Sequence, residues 1–284
     1  PQLFDKIQEH EERKICMKLT KRTAAVLTAS LMLAGALTAC GNGNNDAQPS
    51  SNGENNAKVY KIVADNAFAP FEFLDEASGE YVGGDMDILA AIAEDQGFAY
   101  EIDNCGWDAA IGNLQSGQAD GMIAGMSITD DRKQSYDFSD GYYTGGQIMI
   151  LKSDSAITSY DELAGKTVAV KTGTESQKFA NSIAEEYGFT TVTYKDSPSV
   201  YAAVAGGNDA AGFEDYAVIS YQLQNKDLGL KMVGDQQNYA SYGFAVKKGS
   251  SPELLEMFNA GLANIKENGT YDEILAKYGI EVEG

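Results

Sequence analysis

An arginine beside a possible helix start is the feature of this sequence with the clearest chemistry. Thr129 has the residue type of a helix N-cap, and Asp130 and Asp131 follow it in what would be the first turn. Arg132 comes next, so its guanidinium and the free backbone N–H groups of the turn could converge on one anion. A planar guanidinium matches a planar carboxylate. These residues alone leave two interpretations open, a carboxylate-binding site or an exposed surface arginine.

The elements that would position Arg132 alternate between strands and helices. Val59–Ala64 is an apolar strand-like run, and residues 167–170 form another. After the second run, Thr174-x-x-Gln177 is a capping box that predicts a helix ending at Gly188. Repeated alternation of this kind predicts an α/β fold. Its mainly parallel sheets would be covered by helices, with sites at the carboxyl ends of the strands.

The first 57 residues predict a leader and a tether. Residues 1–16 fit neither, and we interpret them as upstream sequence with Met17 as the natural start. A basic start, an apolar run too short to span a membrane and a Leu-Thr-Ala-Cys sequence predict a lipoprotein signal peptide over 17–39, with lipidation at Cys40. Residues 40–57, rich in Asn, Gly and Ser, predict a disordered tether. We therefore expect an extracytoplasmic, lipid-anchored protein of a Gram-positive cell.

Composition excludes several classes of function. The only histidine is His10, ahead of the predicted mature chain, so we expect no Ser-His-Asp triad, Cys–His pair or imidazole metal site. Acidic residues number 42 against 21 basic ones, and the net charge of −21 repels phosphate backbones and anionic lipid head groups. We therefore expect no nucleic-acid partner, no contact with the membrane except through the lipid, and no metal or other cofactor.

Several segments together carry a family resemblance. The most specific of them is the stretch 124–143, which contains Arg132. The segments, in chain order, are 65–73, 83–89, 124–143, 165–174 and 267–271. Together they resemble the polar amino-acid solute-binding proteins of ABC importers, bacterial solute-binding protein family 3. From about residue 58 to 284 their order and spacing fit glutamine-type members. Gly84 stands where the family usually has an aromatic residue.

The resemblance implies a two-lobed fold of the type II periplasmic-binding-protein kind, with a two-strand hinge. We place the hinge at 142–146 and 238–242. Lobe I would then comprise 58–142 and 243–284, lobe II would comprise 147–237, and the ligand would lie between them. The implied function is capture of an amino acid by a monomer that closes its lobes and delivers the ligand to an ABC permease.

The resemblance also assigns residues to the ligand's α-carboxylate. Arg132 matches the family's carboxylate-binding arginine, and the main chain around Gly125 and Ser127 would assist it. Backbone N–H groups at the helix start, Thr174 and Glu175, could complete this site. Glu175 stands where related sequences often have a small residue.

Three more residues match the ammonium site and the pocket walls. Asp215 matches the family's ammonium-binding aspartate, although a helix N-cap is an equally good interpretation from sequence. Phe68 and Trp107 match the aromatic walls around the ligand's aliphatic portion. A core position is the alternative for the phenylalanine.

Ligand choice would depend on Asp65, Lys171 and Glu214, which match positions that contact the ligand side chain. A carboxamide can donate to either carboxylate and accept from Lys171, so glutamine ranks first. An arginine or lysine ligand would be repelled by Lys171 but attracted by the net negative charge of the three residues. A cationic amino acid therefore ranks second, ahead of asparagine and glutamate.

An enzyme is the alternative from another class. Cyclohexadienyl dehydratases share the fold, and Asp65, Glu214 and Lys171 are possible acid–base groups. Nothing marks a nucleophile, a metal site or a phosphate-binding loop, so we expect no catalytic residues.

Overall fold

The structure, a computed structural model, describes residues 58–281. The predicted leader, the lipidation site Cys40 and the predicted tether lie outside the described residues. The strands in this part are β1 Val59–Ala64, β2 Ala67–Phe68, β3 Glu72–Leu74, β4 Tyr81–Val82, β5 Ala99–Asn104, β6 Gly121–Met122, β7 Tyr136–Phe138, β8 Tyr143–Lys152, β9 Thr167–Lys171, β10 Thr190–Tyr194, β11 Ala211–Asp215, β12 Leu230–Tyr242 and β13 Ala245–Lys247. The α-helices are α1 Gly84–Gln96, α2 Trp107–Ser116, α3 Glu175–Tyr187, α4 Ser197–Ala205, α5 Tyr216–Asn225, α6 Pro252–Glu267 and α7 Thr270–Lys277.

Two five-stranded sheets organise these elements. The first sheet has the strand order β5-β1-β6-β13-β7, and with α1, α2, α6 and α7 it forms what we call the first half. The second sheet has the order β10-β9-β11-β8-β12, and with α3, α4 and α5 it forms the second half. A small sheet of β2, β3 and β4 adds to the first half. The α/β class with two helix-flanked sheets is confirmed.

Strand direction in both sheets is more mixed than simple βα alternation predicts. The pairs β5–β1 and β1–β6 are parallel, as are β10–β9 and β9–β11. Every pair that involves β8, β12 or β13 is antiparallel. The chain enters β8 and β13 by passing between the halves rather than through a strand–helix–strand unit, which would impose parallel pairing. β12 does follow β11 through α5, and its antiparallel partner is β8, which lies between them in the sheet.

The passages between the halves lie side by side. At the start of β8 and the end of β12, Tyr143 pairs with Tyr242, Thr144 with Ser241 and Gly145 with Ala240. Around these pairs, the rings of Phe71, Tyr143 and Tyr242 pack with centroids 5.1–5.2 Å apart. These segments overlap the predicted hinge ranges, while a hinge motion stays a prediction.

Apolar side chains fill both faces of each sheet. In the first half, Ile88, Leu89 and Ile92 of α1 join Phe244 and Phe258 in one buried cluster. Trp107 and Leu114 of α2 pack in a second cluster on the opposite face. The second half likewise has two clusters, one under α4 and α5 and one under α3. Burial on this scale is the main force that holds the strand ends in place.

The two predicted helix starts at Thr174 and Thr129 differ in the structure. Thr174 caps α3 as predicted, because its hydroxyl accepts from the Gln177 N–H, and Gly188 ends the helix in a left-handed conformation. The Thr129 segment instead forms one short 3-10 turn, Arg132–Gln134. The Thr129 hydroxyl still accepts the Arg132 N–H at 3.3 Å. No helix among residues 58–281 is long and apolar enough to cross a membrane.

Candidate functional site

A small cleft lies between the two halves, at the ends of their strands. Its cavity volume is about 20 Å³, room for about one water molecule, so the cleft is nearly closed. Its walls combine aromatic and charged side chains with main chain from both halves; they are Phe68, Trp107, Ala124, Gly125, Ser127, Arg132, Lys171, Thr174, Glu175 and Asp215. Nine of the eleven sequence-predicted ligand residues therefore line one cleft. The other two, Asp65 and Glu214, lie buried behind its walls.

Arg132 is held by main-chain carbonyls from both halves. Its Nη1 donates to Ser127 O at 2.9 Å and its Nη2 to Gly173 O at 3.2 Å. The guanidinium lies 5.3 Å from the Trp107 ring, a cation–π distance. Burial lowers the pKa of Arg132, although an arginine stays charged in proteins. With five N–H donors, the guanidinium keeps capacity for an anion in the cleft.

Asp215 supplies a negative charge on the opposite wall. It stands at the N-cap position of α5 but makes no side-chain capping bond. Its Oδ1 instead accepts from Gln147 Nε2 at 3.0 Å and from the Tyr242 hydroxyl at 2.5 Å. Burial raises the pKa of Asp215, and these hydrogen bonds oppose that rise. Both bonds go to Oδ1, which leaves Oδ2 for a positive group in the cleft.

Asp65 and Lys171 form a buried ion pair that joins the halves. Lys171 Nζ donates to Asp65 Oδ2, and both side chains are 3% exposed or less. The other oxygen, Oδ1, accepts from the backbone N–H groups of Asn66 at 2.7 Å and Trp107 at 3.1 Å. Burial disfavours the charged ammonium, but attraction to Asp65 outweighs it and raises the pKa of Lys171. Phe68 and Trp107 flank the ammonium at 5.0 and 5.5 Å.

Glu214 lies behind the cleft, with both carboxyl oxygens engaged. Oε2 accepts from the Tyr201 hydroxyl at 2.9 Å, and Oε1 accepts from the Asp215 N–H at 3.0 Å. Burial and the neighbouring Asp215 raise the pKa of Glu214 to about 7.

The start of α3 faces Arg132 across the cleft. Thr174 and Glu175 both line the cavity, so a helix N-terminus lies beside the same space as Arg132. The Glu175 carboxylate contributes an attractive charge to Arg132. An anion bound here would meet donors from both halves.

Two site residues were missed from the sequence. Gln147 and Tyr242 hold Asp215, and both belong to the strands that pass between the halves. Gln147 is 1% exposed and directly precedes the buried apolar run 148–151, and a buried polar residue in such a place is a signal for a specific hydrogen bond. Among residues 58–281 no cluster of His, Cys, Asp or Glu could hold a metal ion.

Comparisons with known proteins agree on one family. The model of the bacterial extracellular solute-binding proteins, family 3, matches residues 60–281. A probable histidine-binding protein of Neisseria gonorrhoeae is 33% identical over 92% of this chain and 96% of its own.

Two solved structures share the fold. Substrate-binding domain 2 of Lactococcus lactis GlnP, in an open conformation, is 44% identical over 78% of this chain and 94% of its own, with a TM-score of 0.55. An ancestral arginine-binding protein bound to arginine is 36% identical over 78% of this chain and 97% of its own, with a TM-score of 0.71.

The buried pair gives a stability prediction. Asp65→Asn should lower the free energy of unfolding by about 3–5 kcal/mol, because it leaves the Lys171 ammonium buried without a counter-ion. Adding Lys171→Met should restore much of the loss. Denaturant titrations of the single and double variants measure both effects.

Asp131→Asn is the matched control. It breaks an ion pair with Lys178 that also joins the halves but is exposed to solvent, so unfolding should not change measurably. Equal, small effects of Asp65→Asn and Asp131→Asn would show that Lys171 needs no counter-ion.

Proposed function

The chain belongs to the bacterial extracellular solute-binding proteins, family 3, and we propose that it captures a polar L-amino acid, glutamine above all, for an ABC permease. The observation that carries the proposal is the pairing of opposite charges across one small cleft. Arg132 stands on the first half and Asp215 on the second. A zwitterion is the ligand that neutralises both.

The α-groups of the ligand would bind at the two ends of this pairing. The carboxylate takes the guanidinium of Arg132 and the N–H groups at the start of α3. The ammonium takes Oδ2 of Asp215, whose Oδ1 is fixed by Gln147 and Tyr242. Exclusion of water from the closed cleft strengthens both ion pairs.

Lys171 favours a carboxamide as the ligand's side chain. Its ammonium lines the cleft and has three donors, of which Asp65 takes one. The remaining donors suit a carbonyl oxygen, whereas a cationic side chain would meet an ammonium of like charge.

Arginine or lysine is the second candidate. Glu175 lines the cleft, and Asp65 and Glu214 lie behind it, so the carboxylates near the cleft could offset repulsion by Lys171. The similarity to an arginine-bound ancestral protein supports this candidate. A dehydratase is the third alternative, and its support is the 33% identity to an ancestral amino acid-binding protein that is a precursor of cyclohexadienyl dehydratase. Because that precursor is itself an amino acid-binding protein, we propose a binding protein rather than an enzyme.

Lobe closure is the proposed mechanism, with the hinge at 142–146 and 238–242. Arg132, Lys171 and Lys178 each contact the opposite half, as in a closed state. The TM-score is lower with the open GlnP domain than with the arginine-bound protein, despite the higher identity. That contrast supports a domain rotation rather than a change of fold. Because the ligand bridges the halves, it binds the closed state better and shifts the population toward it.

Lipid anchoring at Cys40 is part of the proposal and rests on the sequence before and after that residue. The protein would be a monomer held on the outer face of a Gram-positive membrane, near its permease. Cys40→Ala should leave an uncleaved precursor or release the protein to the medium. Unchanged mature-size protein in the membrane fraction would count against the anchor.

Ligand choice can be measured by thermal unfolding with each of the twenty amino acids. With micromolar affinity, which corresponds to about 8 kcal/mol, L-glutamine at 100 times its Kd should stabilise the protein by about 2.7 kcal/mol. We expect the largest shift with L-glutamine and a smaller one with arginine or lysine. A shift with the cationic amino acids and none with glutamine would transfer the assignment to the second candidate.

Arg132→Ala should weaken binding of L-glutamine by about a hundredfold or more, because the ligand carboxylate and Asp215 lose the compensating charge. Lys133→Ala is the matched control, since Lys133 is exposed and pairs only with exposed Asp130 in the described structure. Its Kd should equal that of the wild type in calorimetry. Similar affinities for both variants would make Arg132 a surface charge.

A further inference from the structure

Two buried acidic side chains lie together outside the ligand cleft. Glu72 belongs to β3 and Asp85 to the first turn of α1, and both are 0% exposed. The Asp85 N–H donates to Phe71 O, next to Glu72, at 2.9 Å, and each carboxyl group shifts the pKa of the other, so the two side chains are neighbours. No N–H group or hydroxyl within residues 58–281 donates to either Glu72 oxygen or to Asp85 Oδ1. Two neighbouring carboxyl groups can hydrogen-bond to each other only when one of them carries a proton.

The donors identify which group is ionised. Asp85 Oδ2 accepts from the Gly125 N–H and from the Tyr142 hydroxyl, both at 2.8 Å. Such donors stabilise a carboxylate, whereas Glu72 has none. Burial and the charge of Asp85 raise the pKa of Glu72 well above its usual range, and burial raises the pKa of Asp85 to about 6.

The surrounding charges favour the same assignment. Besides Asp85, the groups that act on Glu72 are Asp65, after β1, and Lys171, at the end of β9. Within residues 58–281, Lys171 is the only positive group among them, and its hydrogen bond goes to Asp65. Tyr142 lies just before β8, and the charges of both carboxyl groups act on its hydroxyl. Burial raises the pKa of this hydroxyl, so it stays neutral. A second negative charge on Glu72 would therefore lack a counter-ion.

The Asp85 carboxylate hydrogen-bonds to two segments, one at the cleft and one at the passage between the halves. Gly125 lines the ligand cleft with φ +53°, and a Cβ there would lie 2.5 Å from the Phe68 ring. Tyr142 comes immediately before the strand that passes to the second half. Through these two hydrogen bonds, one carboxylate fixes a cleft wall relative to the passage between the halves.

We propose that Glu72 and Asp85 share one proton, and that Glu72 is a positioning residue that holds the Asp85 carboxylate against Gly125 and Tyr142. Glu72 does not touch the ligand. Its O–H donates to Asp85 Oδ1 and leaves Oδ2 for the two donors. The shared proton thereby fixes the main chain that faces the ligand.

Glu72→Gln is the decisive variant, because its amide N–H replaces the O–H donor but cannot ionise. Glu76→Gln is the matched control, an exposed glutamate in the turn after β3. The infrared spectrum of the wild type at pH 7 should contain the carbonyl band of a protonated carboxylic acid that Glu72→Gln lacks and Glu76→Gln keeps. Identical spectra in this region would overturn the shared proton.

Unfolding provides a second readout that needs no ligand. In the unfolded chain Glu72 ionises above its ordinary pKa, whereas in the folded chain it keeps its proton. The stability of the wild type relative to Glu72→Gln should therefore fall as pH rises from 5 to 7, by about tenfold in the equilibrium constant per pH unit. A ratio that does not change with pH would mean that Glu72 is ionised in the fold.

The positioning role is tested with L-glutamine as the probe, and this arm alone rests on the proposed function. Glu72→Gln should bind within about twofold of the wild type, whereas Glu72→Leu, which has no donor, should bind about tenfold or more weakly. Equal affinity of Glu72→Leu and wild type would overturn the positioning role. If the wild type binds no glutamine, the proposed ligand fails, while the infrared and unfolding results still decide the proton.

Discussion

Charge compensation in a dry cleft is the constraint on which this structure depends. Charged groups taken out of water are costly unless each has a partner of opposite sign. Asp65 and Lys171 satisfy each other across the halves. Arg132 and Asp215 do not pair directly; carbonyl groups hold the first, and Gln147 and Tyr242 hold the second. The cleft is thus neutral near the ligand's expected side chain and polarised where the α-groups would bind.

The fold makes this arrangement possible because strand ends and helix starts from two sheets meet in one place. Lys171 and Asp215 end β9 and β11, and Thr174 precedes α3. Only two paired segments carry the chain between the halves, and their aromatic residues pack around Phe71. Each half has a buried core, and Val218 of α5 also packs into the core of the first half, so contact between the halves extends beyond the paired segments.

The sequence predicted the local features well, because they depend on neighbouring residues. The Thr174 cap, the Gly188 helix end and the strand β1 follow from short-range rules, and family motifs brought nine residues to one cleft. Contacts between distant segments could not be predicted in this way. Gln147 stands out locally as a buried polar residue, but nothing near it in sequence identifies Asp215 as its partner, and the Glu72–Asp85 pair has no local signature. The antiparallel pairing of β8 and β12 likewise depends on how the chain passes between the sheets.

A crystal structure of the protein with L-glutamine would test the central claim most directly. The account predicts a ligand between the halves, with its α-carboxylate in hydrogen-bond contact with the Arg132 guanidinium and its ammonium on the Asp215 carboxylate. The carboxamide oxygen should accept from Lys171. A ligand bound to one half alone, or one whose carboxylate lies away from Arg132, would contradict the account.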